Sequence, residues 1–390
     1  MGSYFEVRMI PQLQPNEIEL IDWADEFAQQ VLAPNAQQWD EEAHFPPEVF
    51  EQLCQRGLAA MLLPSDNGGA DLSYVASVQI FERLVRGDLG VPFALLLQNN
   101  TLRSIWLHGT SEQKERWVPR LVDGSLIGAY VITEPDAGSD AGSMKSTAVS
   151  LAGDQWKLNG QKWLLSNSPV ADLFVTSVVT QLENGEAGGI STFVLERDMA
   201  GLHVGQASET LGARSLPVGD LHFEDLTVDD GHRLGEIGSG MRMALDAVNF
   251  ARVVWGGIAV GIAEAALEEI IEFLKEREQF GRAIADFQAV QFQLADLACK
   301  IEAVRSLTYR AAAAIDLGSR YIELGAMCKK MAGEMVVEVT SACHELLGGR
   351  GYLVPHSLER RMRDARLALV ADGTTNIQRL VIARSLVGRR

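Results

Sequence analysis

Apolar residues recur along this chain with two different periods, and the change between them divides it into three parts. From about Gln14 to Leu126 the spacing is helical. Ile18, Ile21, Phe27, Val31 and Leu32 form one stripe, and Val49, Leu53 and Leu58 begin another. Pro64 to Gly69 (PSDNGG) predicts a turn between helices. From about Ile127 to Val228 the period falls toward two. Residues 155–159, 173–179, 192–195 and 220–223 predict strands, and Asn159-Gly160 and Asn184-Gly185 predict tight hairpin turns. From about Ser239 to Ser385 the helical period returns in longer segments. Leu267, Ile270, Ile271 and Leu274 make one stripe; Leu294, Leu297, Ile301, Val304 and Leu307 make another. The predicted fold class is mainly α with a β domain. It comprises an N-terminal helical domain (1–126), a middle antiparallel β-barrel or sandwich-like domain (127–235) and a C-terminal four-helix bundle (236–390).

Composition narrows the chemistry. At 390 residues the chain buries enough surface to need neither metal nor disulfide for stability. Cys54, Cys299, Cys328 and Cys343 lie far apart and read as reduced, mostly buried thiols. The seven histidines show no metal-ligand spacing, so no metal site is expected. A net charge of −18 argues against nucleic acid as a partner, since that association is driven by cations on phosphates. No stretch approaches the roughly 20 apolar residues of a membrane span. The first 20 residues show no basic start followed by an apolar run, so no secretory leader is expected and the expected location is cytoplasmic.

The candidate chemistry begins at Tyr130 to Asp140 (YVITEPDAGSD), where helices give way to strands. A strand end followed by a turn that carries Thr133, two acids, a glycine and Ser139 offers hydroxyls and free amides to a polar ring edge or a phosphate; it reads equally as a helix-capping turn. Residues 133–140 resemble the signature of the acyl-CoA dehydrogenases. Four more segments resemble that family's motifs in the same order: residues 158–167, 277–282 with Gln288, 347–352 and 372–379. The resemblance implies FAD as cofactor. Its implied ligands are Tyr130, Val131, Ile132, Thr133, Ser139, Leu164, Leu165, Ser166, Arg277, Phe280, Gln288, Glu345, Gly348, Gly349, Thr374, Thr375 and Asn376. Arg277, read without the resemblance, is either a bidentate pyrophosphate partner or a surface residue among Glu276 and Glu278. One departure stands out: Trp163 comes one position earlier than the family's flavin-facing Trp. In a regular strand Leu164 would meet the flavin and Trp163 would face away, unless a bulge intervenes.

The resemblance also places a catalytic acid at Asp372, where one branch of the family has Glu; by itself this Asp reads equally as a helix cap. Such a base takes the proton α to a thioester while hydride leaves the β-carbon for flavin N5, and burial of the carboxylate makes it a better acceptor. Asp is shorter than Glu by one C–C bond, about 1.5 Å. The alternative slot on an earlier helix is Ala251, and neither Asp246 nor Glu264 occupies it. Ser139, Asn249, Phe250, Ala251, Arg252 and Gly373 are the implied substrate contacts. Arg252, on an otherwise apolar helix, also reads as half of an internal ion pair with an acid such as Asp246.

The expected substrate is an acyl thioester of CoA or of a carrier protein. Pro92 stands where glutaryl-CoA enzymes carry Arg, and Val91, Phe93, Leu95, Leu96 and Leu97 make an apolar wall suited to a branched, cyclic or unsubstituted acyl group. An electron-transfer flavoprotein as acceptor, and a homotetramer or homodimer in which Arg277 serves a neighbouring FAD, are further implications. The competing readings are a same-fold flavin monooxygenase or non-oxidative thioester enzyme, and a flavin-binding interaction protein without catalysis.

Overall fold

The computed structural model describes residues 12–388; residues 1–11, which carry most of the segment expected to lack a leader, and 389–390 lie outside it. Six helices open the chain: α1 (Pro15–Phe27), α2 (Ala33–Glu42), α3 (Pro47–Gln55), α4 (Tyr74–Leu84), α5 (Gly90–His108) and α6 (Ser111–Val122). Local chemistry sets several of their ends. Ser73 Oγ accepts from the Ala76 amide to start α4, and Thr110 with Gln113 forms a reciprocal cap on α6.

Eight strands follow: β1 (Gly128–Val131), β2 (Thr147–Leu151), β3 (Gln155–Ser166), β4 (Leu173–Gln181), β5 (Ala187–Glu196), β6 (Leu202–Val204), β7 (Val218–Asp229) and β8 (Arg233–Leu234). The sheet runs β6-β7-β3-β2-β4-β5-β8, with β1 also on β4. It is mixed, not wholly antiparallel as expected, because β1 and β2 both pair with β4 in parallel. The four expected strands are all present. Asn184-Gly185 forms the β4–β5 hairpin with Gly185 at φ +83°. Asn159-Gly160 does not turn the chain. It lies inside β3, where the register against β7 slips between Leu158 and Gly160. A β-bulge and a hairpin both call for a residue that tolerates positive φ, so the same dipeptide serves either; Gly160 sits at φ +145°.

The C-terminal part is a bundle of α7 (Gly240–Glu276), α8 (Gln288–Asp316), α9 (Ile322–Leu346) and α11 (Thr375–Val387), with short α10 (Ser357–Asp364) packed beside it. Across its middle (residues 250–263) α7 is buried on every face, which explains why its polar-to-apolar alternation is weak. It is long and apolar enough to cross a membrane by composition alone, contrary to the expectation of no such stretch, yet it is the core helix of the molecule.

Two buried amides lock α5 to the β domain. Gln98 Nε2 donates to the Leu121 and Leu126 carbonyls while its Oε1 accepts from Gly128 N at 2.6 Å. Asn167 Nδ2 donates to the Ala94 and Gly128 carbonyls. Together they fix β1, which ends at Tyr130 and Val131 and leads into Ile132 and Thr133, against the helical domain.

Candidate active site

Asp372 sits between the short 3-10 turn Ala365–Leu369 and the start of α11, in the left-handed conformation at φ +52°. Asp is among the few side chains that accept this region readily, because its short polar arm bonds locally. Its Oδ2 accepts from the Trp255 indole N–H at 2.7 Å. Among the described residues its Oδ1 has no hydrogen-bond partner. Burial raises the Asp372 pKa, and the Trp255 hydrogen bond and the nearby Lys329 and Arg252 charges oppose that rise. The backbone of the turn is held as well. Gln378, wholly buried on α11, donates to the Gly373 carbonyl at 2.9 Å and to the Asp372 carbonyl at 3.3 Å.

Arg252 donates to Asn249 Oδ1 at 2.8 Å and to the Asp372 carbonyl at 3.4 Å. It does not pair with Asp246, which is taken by Arg103 at 2.6 Å. Glu264 is likewise engaged, by Arg86 at 2.7 Å and by Arg305. Neither acid is available as a base, and Ala251 is fully buried. Phe250 turns toward the N-terminal domain, edge-on to Tyr74 with ring centroids 4.9 Å apart, so its side chain is a packing element there.

Two members of this cluster escaped the sequence reading. Lys329 on α9 is buried and donates to the Ala368 carbonyl, with its ammonium 5.1 Å from the centre of the Trp255 ring. Desolvation lowers its pKa to about 8, against the opposing pull of Asp372. Its signal was its place on the apolar face of α9, in step with Ala326, Ala332 and Val336. Trp255 read as one more apolar residue in a buried run.

The second part of the site surrounds the turn after β1. Glu134 is buried and accepts from the Lys145 amide at 2.6 Å, the Ser146 amide at 3.0 Å and Lys162 Nζ at 2.9 Å. Burial works against its charge, but these donors hold its pKa below the usual value. Lys162 is fully buried. Immediately after it the β3–β7 register slips between Lys162 and Leu165, with Leu164 at φ +56°. That bulge corrects the simple alternation expected here. The bulge is the exception to regular alternation: the Trp163 amide donates to the Thr133 carbonyl at 2.9 Å, and both Trp163 and Leu164 stand outward, 44% and 55% exposed. Leu165 points into the β-domain core, so only its main chain is available to a ligand.

The fit to FAD follows from this arrangement. Two large apolar side chains left uncovered beside Thr133 make a surface that a flat, partly polar ring would cover. Beyond them Ser139 is exposed, and Ser166 is partly buried. Thr374 caps α11 through the Ile377 amide, with Thr375 partly buried and Asn376 exposed behind it. The remaining implied FAD residues lie on the bundle surface. Arg277 ends α7 and leads into an exposed hairpin (residues 278–283) carrying Phe280, while Gln288, Glu345, Gly348 and Gly349 are all exposed. Arg277 is 22 positions from Trp255 (277 − 255), all but the last of them within α7, or about 33 Å along the axis.

The fold and this site define a flavin-dependent oxidoreductase. The chain belongs to the acyl-CoA dehydrogenase family: the family's N-terminal, middle and C-terminal domains match residues 14–125, 129–226 and 238–387. A probable acyl-CoA dehydrogenase of Mycobacterium tuberculosis, FadE25, is 36% identical over 93% of this chain and 92% of its own length. Butyryl-CoA dehydrogenase of Megasphaera elsdenii is similar in structure, with a TM-score of 0.93 and 30% identity over 97% of this chain and all of that one. PigA, solved with FAD and proline, superposes with a TM-score of 0.91 at 29% identity, covering 97% of this chain and 99% of that one. FAD is the cofactor, and the chemistry is oxidoreduction of a CH–CH bond.

Proposed function

We propose that this enzyme desaturates the α,β bond of an acyl thioester, with Asp372 as the base that takes the α-proton. The observation that carries the reading is the Asp372 carboxylate itself. It is desolvated enough to favour the proton, held by one oxygen, and free at the other. Bound FAD would accept the hydride from the β-carbon. The chain supplies the rest. Trp163, Leu164 and Thr133 offer a platform for the flavin ring. Gln378 and Arg252 hold the backbone at Asp372 and Gly373 through their carbonyls, and the Asp372 amide is the donor offered to an enolate-like oxygen. From α5, Phe93 reaches this cluster by packing against Trp255 and helps keep water from the reacting carbons, while Val91, Leu95 and Leu96 are buried in the core.

Arg277 and the hairpin after it lie too far along α7 to serve the flavin beside Asp372 of the same chain. Their role in the reading is to hold the pyrophosphate of a neighbouring copy's FAD, which makes the enzyme a homo-oligomer, tetrameric in the simplest case. On this reading an electron-transfer flavoprotein would take the electrons from bound FAD, and the enzyme would work in the cytoplasm.

Anaerobic titration with a panel of acyl-CoA thioesters, watching the flavin absorbance, tests the reading. Bleaching by at least one saturated thioester is the expected result; a flavin that stays oxidised with every one, and with carrier-protein thioesters, overturns it.

A further inference from the structure

Trp255 stands on the inner side of the candidate base, where the tail of an acyl group would continue. It is fully buried, and three contacts fix it. The indole N–H donates to Asp372 Oδ2 at 2.7 Å. Its ring packs against Phe93 of α5 with centroids 5.1 Å apart and planes tilted by 49°. Lys329 covers it from α9. The helix that carries it is packed closely at two glycines. A Cβ on Gly257 would meet the Val78 carbonyl of α4 at 2.6 Å, and one on Gly256 would meet Thr308 of α8 at 2.2 Å. The indole is therefore placed by close packing of α7 against the Val78 carbonyl on one side and the Thr308 and Cys328 side chains on the other, as well as by its own bonds.

A thioester whose α-carbon lies at Asp372 has its bulky carrier arm toward solvent and its acyl tail toward the interior. The interior at that point is the Trp255 and Phe93 rings. We propose that Trp255 closes the inner end of the acyl pocket, restricting the enzyme to short acyl thioesters, and holds Asp372 by one oxygen so that the other meets the α-carbon. The inference rests on the dehydrogenase reading above. It also accounts for an Asp where relatives have Glu: the indole fills the space a longer arm would need, and its hydrogen bond orients the shorter one. Trp255 is thus a specificity-determining and positioning residue. It takes no proton itself.

The test compares kcat/KM for butyryl-CoA and octanoyl-CoA in the FAD-loaded wild type, Trp255→Leu and Trp255→Phe, with flavin content and melting temperature read alongside. Each methylene that a closed apolar pocket must refuse changes discrimination by about 10-fold or more. The wild type is expected to favour butyryl-CoA by at least about 100-fold, and Trp255→Leu to reduce that ratio at least about 10-fold by gaining octanoyl activity. Trp255→Phe keeps the pocket closed but removes the N–H. It is expected to preserve the ratio and move the acid limb of kcat/KM to higher pH, because Asp372 then has only Lys329 and Arg252 to stabilise its charge. Should Trp255→Leu fail to hold flavin, Phe93→Ala opens the same end from α5 and is read in the same way.

A wild type that turns over octanoyl-CoA as readily as butyryl-CoA overturns the closure. So does a ratio unmoved by opening the pocket. An acid limb unmoved in Trp255→Phe overturns the positioning role. Flavin that no thioester of any length bleaches would remove the dehydrogenase reading and this inference together, whereas bleaching with an unchanged ratio removes only the role of Trp255.

Discussion

Lys162 and Glu134 meet at 2.9 Å, both buried, and join the bulged end of β3 to the turn after β1. The pair holds the Trp163 backbone beside Thr133, so the proposed flavin platform depends on a buried ion pair behind it. Glu134→Gln leaves an uncompensated ammonium in the β domain. Such a change is expected to cost about 3–5 kcal/mol, seen in urea unfolding, and to lower FAD retention. The Glu134 carboxyl is held below its usual pKa, so its stabilising contribution is present above the unfolded-state carboxyl pKa. It is lost as pH falls through the depressed folded value.

Asp372→Asn preserves the shape of the turn and the contact to Trp255 while removing the proposed base. Purified protein is expected to remain yellow and to lose about 100- to 10,000-fold in turnover, the usual worth of a positioned general base. Full activity in this variant, measured by dye-linked acyl-CoA oxidation, would take Asp372 out of the mechanism.

The charge state of Asp372 gives a pH signature. Its pKa is raised by burial, so activity is expected to fall as pH drops through a value above the ordinary carboxylate range. Lys329 opposes the rise. Lys329→Met removes that positive charge, stabilises the protonated acid, and shifts the acid limb of kcat/KM further upward. In the wild type Lys329 itself loses its proton near pH 8, so the two titrations are coupled and the profile above that pH belongs to the pair.

Gly160 marks the first bulge of β3. A Cβ there would lie 2.3 Å from Ser146 Oγ and 2.7 Å from Ser146 Cα, on a backbone at φ +145°. Gly160→Ala is expected to destabilise the protein by at least about 1–3 kcal/mol from backbone conformation alone, measured as a lower melting temperature. Gly185→Ala, also at positive φ but with nothing within 4 Å of its Cβ, is expected to cost less.

Arg277→Ala probes the pyrophosphate assignment. The variant is expected to fold with unchanged melting behaviour as apoprotein and to release FAD on dilution at least about 10-fold more readily, the loss of one charge-assisted contact. Unchanged flavin occupancy on gel filtration would count against the assignment.

The helix–sheet–helix division was legible because a change of hydrophobic period is a bulk signal spread over many residues. Asp372, Arg252 and Thr133 were legible through motifs. What escaped was whatever depends on contacts between distant segments. Asn159-Gly160 carries identical turn chemistry whether it reverses a strand or bulges it, and only pairing with β7 decides. Trp163 looked turned away because alternation is the default until a slip at Lys162 breaks it. Trp255 and Lys329 lie 117 and 43 residues from Asp372 (372 − 255 and 372 − 329), and nothing local to either announces the meeting.

The left-handed turn at residue 372 couples the identity of the acid to the path of the chain. A residue with a longer arm would face a backbone penalty of about 1–2 kcal/mol before any question of reach arose. Converting this enzyme to a Glu base is thus not a one-letter edit. It calls for re-routing the loop into α11 and hollowing out the indole's berth at the same time, so the proposed base, the turn that carries it and the residue beside it must change together.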